Sequence, residues 1–257
     1  MTDGPCYADL RGKVALVTGA GTNIGRAIAL RFAIEGCRLV ICGRRAELLE
    51  ETAALARARG GECAVVPADL SREADIDHLF QATLEAFGTL DVLVQNAAEM
   101  RMTLAQHVTL EQWDRSFATI ARAAFLLARG AYAIMEPKRE GVLLFISTVG
   151  ALRAHHHGVP YDAAKAAVDG LVRNLACDYG LQGIRVNGIA PGATPPLAEG
   201  ASPAPRREVP LGRNGTGADV AAAAAFLASR QASYITGQIL YVDGGLTAQL
   251  TPRDVWV

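Results

Sequence analysis

Much of what this chain lacks is informative. It has no surplus of either charge: 25 basic residues face 26 acidic ones, for a formal net charge of -1. It has no basic block of the kind that follows a nucleic-acid backbone, so no nucleic-acid partner is expected. No apolar run approaches the length of a membrane span, so no membrane association is expected. The opening residues Met1-Thr2-Asp3-Gly4-Pro5 lack a basic stretch followed by an apolar one, which argues against a signal peptide. Cys6, Cys37, Cys42, Cys63 and Cys177 are odd in number and show no CxxC spacing. They fit reduced, mostly buried thiols and a cytoplasmic location.

What is present is apolar material in an alternating order. Hydrophobic residues make up 51% of the 257 positions, enough for a sizeable core in one domain spanning 1–257. Strand-like runs fall at Lys13–Thr18, Arg38–Gly43, Cys63–Pro67, Asp91–Gln95, Gly141–Ser147, Ile184–Ala190 and Gln238–Val242. Several are apolar throughout, as expected of parallel strands covered on both faces. Helical patterns occupy about 24–36, 45–59, 73–87, 109–135, 160–180 and 217–229. This alternation predicts an α/β fold, a parallel sheet wrapped by helices. The Pro-rich stretch 191–210 reads as a mobile loop or lid, because strand and helix patterns resume after it.

Thr18-Gly19-Ala20-Gly21-Thr22-Asn23-Ile24-Gly25 follows the first strand and opens the first helix. Small residues there let a backbone approach a pyrophosphate, and the helix N-terminus supplies N–H groups and positive potential. The second strand ends at Gly43, where a site selecting NAD usually carries an acid for the ribose hydroxyl. Arg44 and Arg45 follow instead and could pair a 2′-phosphate, so NADP (NADPH) is favoured and NAD is the lesser alternative. Asp69, after the third strand, could meet an adenine amino group or cap a helix.

Tyr161 and Lys165 stand four residues apart, on one face of a predicted helix. A free Tyr titrates near pH ~10 and is a poor acid or base at neutrality. A neighbouring ammonium lowers that value, so the pair could move a proton at a carbonyl or alcohol.

Taken in order, these motifs resemble the short-chain dehydrogenase/reductase family, in its compact single-domain branch. The resemblance runs from about residue 11 to 245. It is carried by the turn at 18–25, Ala68-Asp69-Leu70, Gln95-Asn96-Ala97-Ala98, Tyr161 with Lys165, Arg185-Val186-Asn187 before Pro191-Gly192, Pro210-Leu211-Gly212-Arg213 and Val242-Asp243-Gly244-Gly245. It implies a Rossmann-type, doubly wound, seven-stranded parallel sheet flanked by helices, and nicotinamide-dependent chemistry on a small carbonyl or alcohol substrate. It also implies Tyr161 as acid/base, Lys165 as its tuning cation and ribose contact, and a hydroxyl holding the substrate oxygen. Gly19, Thr22, Asn23, Ile24, Gly25, Leu70, Asn96, Ala97, Pro191, Gly192 and Thr194 join Arg44, Arg45 and Asp69 as cofactor contacts. A homo-oligomer is implied as well, dimer or tetramer, through the 109–135 and 160–180 helices and the last strand.

The chain departs from that pattern in places. Counting thirteen back from Tyr161 gives Thr148 rather than Ser, with Ser147 adjacent as the alternative. Alternate strand residues face opposite ways, so one of the two can point at substrate. The family places an Asn seven residues after a Trp, where it holds a water behind the Lys. Here that position, counted from Trp113, is Ile120, so the proton relay needs another route. Asn23 replaces a glycine of the turn, and Asn tolerates positive φ better than other non-Gly residues. Gln95, Ala98 and Pro196 are milder changes. His155, His156 and His157 precede Tyr161; their spacing does not make a metal site, and one could contact substrate or serve the relay. Arg101 and Arg153 could meet a polar or anionic substrate group.

Overall fold

The structure is a computed structural model and describes residues 6–198 and 201–251. Seven strands lie side by side: β1 (Val14–Thr18), β2 (Arg38–Gly43), β3 (Cys63–Pro67), β4 (Val92–Gln95), β5 (Gly141–Ile146), β6 (Ile184–Pro191) and β7 (Ile239–Val242). Their order is β3-β2-β1-β4-β5-β6-β7, and each neighbouring pair is parallel. The helices are α1 (Asn23–Ile34), α2 (Ala46–Arg57), α3 (Glu73–Phe87), α4 (Leu110–Phe117), α5 (Ala123–Met135), α6 (Val159–Tyr179) and α7 (Gly217–Ala228). This is the parallel sheet wrapped by helices that the alternation predicts, in the seven-stranded Rossmann-type, doubly wound form that the family resemblance implies.

Strand alternation splits the core into two layers. Val14 and Leu16 of β1 join the face covered by α3, α5 and α6. Ala15 and Val17 join the face covered by α1, α2 and α7. Small residues bring the helices close: a Cβ at Gly217 would lie 2.8 Å from the Ala27 Cβ, where α7 meets α1. The strand order reverses between β1 and β4, so a crevice opens beyond their carboxyl ends, where ligands bind in such sheets.

Two expectations need correction. The 109–135 helix is not continuous α: α4 and α5 are joined by a π-turn at Ala118–Arg122. The combined run Leu110–Lys138 does reach the length and apolarity of a membrane span. Its Ala123, Ala124, Leu127, Ala128, Ala131 and Met135 are buried, and they belong to the core layer that also holds sheet residues. Within the Pro-rich stretch, residues 199–200 lie outside the described residues. The part beyond them is tied back by a Pro205–Arg213 bridge and by Arg206 N–H to Gly212 O at 2.9 Å. The motifs at Pro210–Arg213 and Val242–Gly245 meet through Leu211 N–H to Gly244 O at 3.1 Å.

Candidate active site

A cleft of about 1120 Å³ runs along the carboxyl ends of the strands. Gly19 turns the chain at φ 64°, and a Cβ there would meet Asn96 Nδ2 at 2.8 Å and Ala97 Cα at 2.9 Å. A Cβ at Gly25 would overlap the Gly19 carbonyl. Asn96 is committed to this turn: its Nδ2 donates to Thr18 O at 2.9 Å, and its N–H donates to Thr18 Oγ1 at 2.9 Å. Asn23 adopts φ 43°, the conformation for which Asn was expected to substitute for glycine. Its Nδ2 donates to Thr194 O at 2.9 Å, a bond no glycine could make. The side chain of Thr22 makes no cap bond, leaving the first N–H groups of α1 facing the cleft without a side-chain partner.

Arg44 and Arg45 line the far end with Asp69 and Leu70. Arg44 is exposed and lies 3.5 Å from Glu99, which also accepts from Arg101 Nε at 2.6 Å and Arg115 Nε at 2.9 Å. Burial raises the Glu99 carboxyl, but the hydrogen bonds from Arg115 and Arg101 outweigh it and hold the group below its usual range. Glu99 went unrecognised in the sequence, where nothing marks one acid as the hub of three arginines. Asp69 does not cap α3, whose N-cap is Arg72. It instead accepts from Ser71 N–H at 3.0 Å, closing a turn that leaves it on the cleft wall.

The opposite end of the cleft holds Thr148, Tyr161 and Lys165. Pro160 in the first turn suits the start of α6, because its missing N–H has no helical partner to lose. Lys165 is 1% exposed, donates to the Ile146 carbonyl and sits 6.0 Å from the Tyr161 ring centroid. Burial lowers its ammonium to about 8, against an opposing effect of Asp169. Tyr161 is pushed up to about 12 by burial, with the Thr148 hydroxyl pulling down and Asp162 pushing further up. The lowering expected from the ammonium does not figure in this shift, burial outweighs the Thr148 hydroxyl, and the phenol holds its proton at neutral pH. Of the two candidate hydroxyls, Thr148 is the one that acts on Tyr161. Ser147, 3% exposed, bears on Asp169 instead.

Ile120 is fully buried within the π-turn. Thr119 lines the cleft, but its hydroxyl is spent on Arg115 O at 2.8 Å. Of the three histidines, His155 alone lines the cleft; His156 and His157 are exposed outside it. The His155 N–H donates to Asp162 Oδ2 at 2.8 Å, and Nδ1 lies 2.8 Å from Asp162 Oδ1. Arg153 lines the cleft and donates to Thr247 O at 3.2 Å. Arg101 does not reach the cleft. It borders a separate cavity of about 300 Å³ beside Arg115, drawn there by Glu99. Met100, Met102, Leu246 and Thr247 complete the walls and carry no motif by which sequence could have found them.

A phosphate-ready glycine turn and a Tyr–Lys–Thr group at the two ends of one Rossmann cleft define a nicotinamide oxidoreductase class. Residues 19–247 match the family model described as enoyl-(acyl carrier protein) reductase. The chain is 40% identical over 250 residues to 3beta-hydroxysteroid dehydrogenase 1 of Eggerthella lenta, covering 94% of this chain and 96% of that one. It is 37% identical over 245 residues to glucose 1-dehydrogenase of Gluconobacter oxydans, covering 92% of each. A crystal structure of a putative short-chain alcohol dehydrogenase from Sinorhizobium meliloti superposes with a TM-score of 0.88 at 31% identity, covering 95% of this chain and all of that one. The protein belongs to the short-chain dehydrogenase/reductase family.

Proposed function

We propose that this chain is an NADP(H)-dependent oxidoreductase that interconverts a carbonyl and an alcohol on a small organic substrate, with Tyr161 as the acid/base. The observation that carries this reading is the placement of Tyr161, Thr148 and Lys165 in the same cleft as the glycine turn. The residues present fit a dinucleotide. Side chains at Gly19 or Gly25 would fill the space beside Asn96, and the α1 N–H groups keep no side-chain cap.

When bound, the nicotinamide supplies or accepts a hydride. Gly19, Thr22, Asn23, Ile24 and Gly25 would hold its pyrophosphate, Asp69, Leu70, Asn96 and Ala97 its adenosine side, and Pro191, Gly192 and Thr194 its nicotinamide end. Arg44 and Arg45, with no acid at Gly43, favour a 2′-phosphate over a bare ribose. Thr148 orients the substrate oxygen by hydrogen bonding. Tyr161, a neutral phenol at pH 7, gives its proton to that oxygen as negative charge develops. Lys165 holds positive charge behind the phenolate and stabilises that anion while it lasts. His155 and Arg153 lie where substrate polar groups would reach, and Met100, Met102 and Leu246 offer apolar contact. A hydroxysteroid and glucose are the substrates named for the two relatives above, and both are secondary or hemiacetal alcohols.

The whole chain 1–257 would act as one domain, cytoplasmic and free of nucleic-acid or membrane partners, assembled as a dimer or tetramer. Ile120 favours a second reading, in which the chain binds cofactor without turnover or performs dehydration or epimerisation. NADPH consumption over a carbonyl panel, wild type beside Tyr161→Phe, separates them. The oxidoreductase reading expects turnover that falls by about 10²–10⁴ in the variant while NADPH still binds. Tight NADPH binding with no turnover on any carbonyl would favour the second reading.

A further inference from the structure

Tyr161, Lys165, Asp169 and Arg173 recur every four residues along α6, so they form one row down a single helix face, about 6 Å per step. The row leads outward. Lys165 is 1% exposed, Asp169 8%, and Arg173 lies on the surface. Ile120, at the position where the family resemblance implies a water-holding Asn, is fully buried in the π-turn and brings no hydrogen-bonding atom. Lys165 has three N–H donors, and the protein acceptor it uses is the Ile146 carbonyl. One residue past Ile146, the buried Ser147 Oγ and the buried Asp169 Oδ1 each lack a partner at hydrogen-bond geometry, although the hydroxyl lies near enough to pull the carboxyl down. Buried polar atoms are rarely left so, and two orphans flanking one cation define a polar gap of the kind that ordered water bridges.

We infer that Ser147 and Asp169 carry the proton between solvent and Lys165, replacing the route that Ile120 closes. The inference rests on the acid/base reading of Tyr161. In the reduction direction Tyr161 loses its O–H proton to the substrate oxygen and keeps the electron pair. A proton from the Lys165 side refills the phenolate. The resulting neutral amine takes a proton from the Asp169 carboxylic acid, through water held by Ser147 Oγ. Asp169 then recovers one from solvent, so each transfer breaks one O–H or N–H bond and makes another.

The groups that face Asp169 suit this task. They are Lys165 and Arg173 on its own helix, Ser147 after β5 and Tyr241 on β7. Burial raises the Asp169 carboxyl above its ordinary value, against the Ser147 hydroxyl and the charges of Arg173 and Lys165. It therefore keeps a proton to higher pH than a surface carboxylate does.

Asp169→Asn and Ser147→Ala test the route separately, with NADPH and the best carbonyl of the panel. Each is expected to lower kcat at least about tenfold with KM for both reactants kept, to raise the solvent isotope effect, and, for Asp169→Asn, to erase the fall in rate as pH rises through the Asp169 titration. Proton exchange at Lys165 Nζ, followed by ¹⁵N-lysine NMR on the protein alone, is expected to slow in both variants and needs no turnover. Wild-type kcat, pH profile and Lys165 exchange in a folded variant would overturn the relay. If Asp169→Asn fails to fold, Ser147→Ala decides by the same measurements. Full turnover in Tyr161→Phe would overturn the acid/base reading, whereas the NMR exchange would still report on the relay.

Discussion

His155 Nδ1 lies 2.8 Å from Asp162 Oδ1, and the same carboxylate accepts the His155 backbone N–H, so the residue that follows Tyr161 holds the loop that precedes it. The ring sits 6.3 Å from that of Tyr161. Gly150 makes room for the pair, since a Cβ there would overlap both Asp162 Oδ1 and His155 Nδ1. With Nδ1 engaged by the carboxylate, Nε2 is left for substrate. His155→Ala, Asp162→Ala and Gly150→Ala are each expected to raise KM for the carbonyl about two- to tenfold, the loss of one hydrogen bond, while kcat is largely spared. Steady-state kinetics check this; an unchanged KM in all three would remove His155 from the substrate site.

The cofactor preference turns on the end of β2. Arg44→Ala is expected to weaken NADPH about tenfold and leave NADH untouched, consistent with loss of a charge-assisted hydrogen bond. A Cβ at Gly43 would meet Leu49 Cδ2 at 3.6 Å and Gly19 Cα at 3.9 Å, ordinary contact, so Gly43→Asp adds charge without a clash. That variant is expected to favour NADH. Isothermal titration with both nucleotides decides; wild-type protein that binds NADH as tightly as NADPH contradicts the NADP assignment.

Asn23 gives the turn a reach that glycine lacks. Asn23→Gly keeps the positive φ but loses the bond to Thr194 O. Nucleotide affinity is expected to fall by about 0.5–1.5 kcal/mol in dissociation constants, through a Thr194 segment that is no longer held against the turn.

Lys165 makes stability depend on pH in a definite direction. Its ammonium titrates at about 8 in the folded chain against 10.5 as a free side chain. Between those values the unfolded chain binds more protons, so stability rises with pH across that window. Below it the buried charge costs on the order of 3 kcal/mol. Lys165→Met removes this slope and is expected to be the more stable protein at pH 7. Urea unfolding of both proteins from pH 7 to 10 checks it: the gap between them should narrow as pH rises.

Ile120→Asn offers a route of its own. Placed in Asp169→Asn protein, it is expected to recover part of the lost kcat, because an amide in the π-turn can hold water beside Lys165. A double variant no faster than Asp169→Asn would show that the π-turn cannot host that water.

Much of this was legible beforehand. β2 and β3 fall at the bounds read from their apolar runs, because each run is closed by Gly or Pro. α3 likewise spans 73–87, ended by Gly88 at φ 72°. The residues that meet in the cleft follow from motif order, since parallel strands must bring their carboxyl ends together. The hidden features are those that depend on one partner far away. The π-turn changes hydrogen-bond spacing and not composition. Asn96 spends its amide on Thr18, and Arg101 turns aside to Glu99. The direction of the Tyr161 shift depended on burial, which outweighs the pull of the Thr148 hydroxyl.

The Asn23–Thr194 bond joins residues 171 apart, and Gly217 lets α7 close against α1 just behind it. The cleft is thus walled by segments far apart in the chain. A ribosome that has released β1 and its glycine turn has made no binding site, and none exists until the chain past Gly217 has emerged. Cofactor cannot rescue a truncated or stalled product, so NADPH should protect the full-length chain from proteolysis and leave nascent fragments exposed to it.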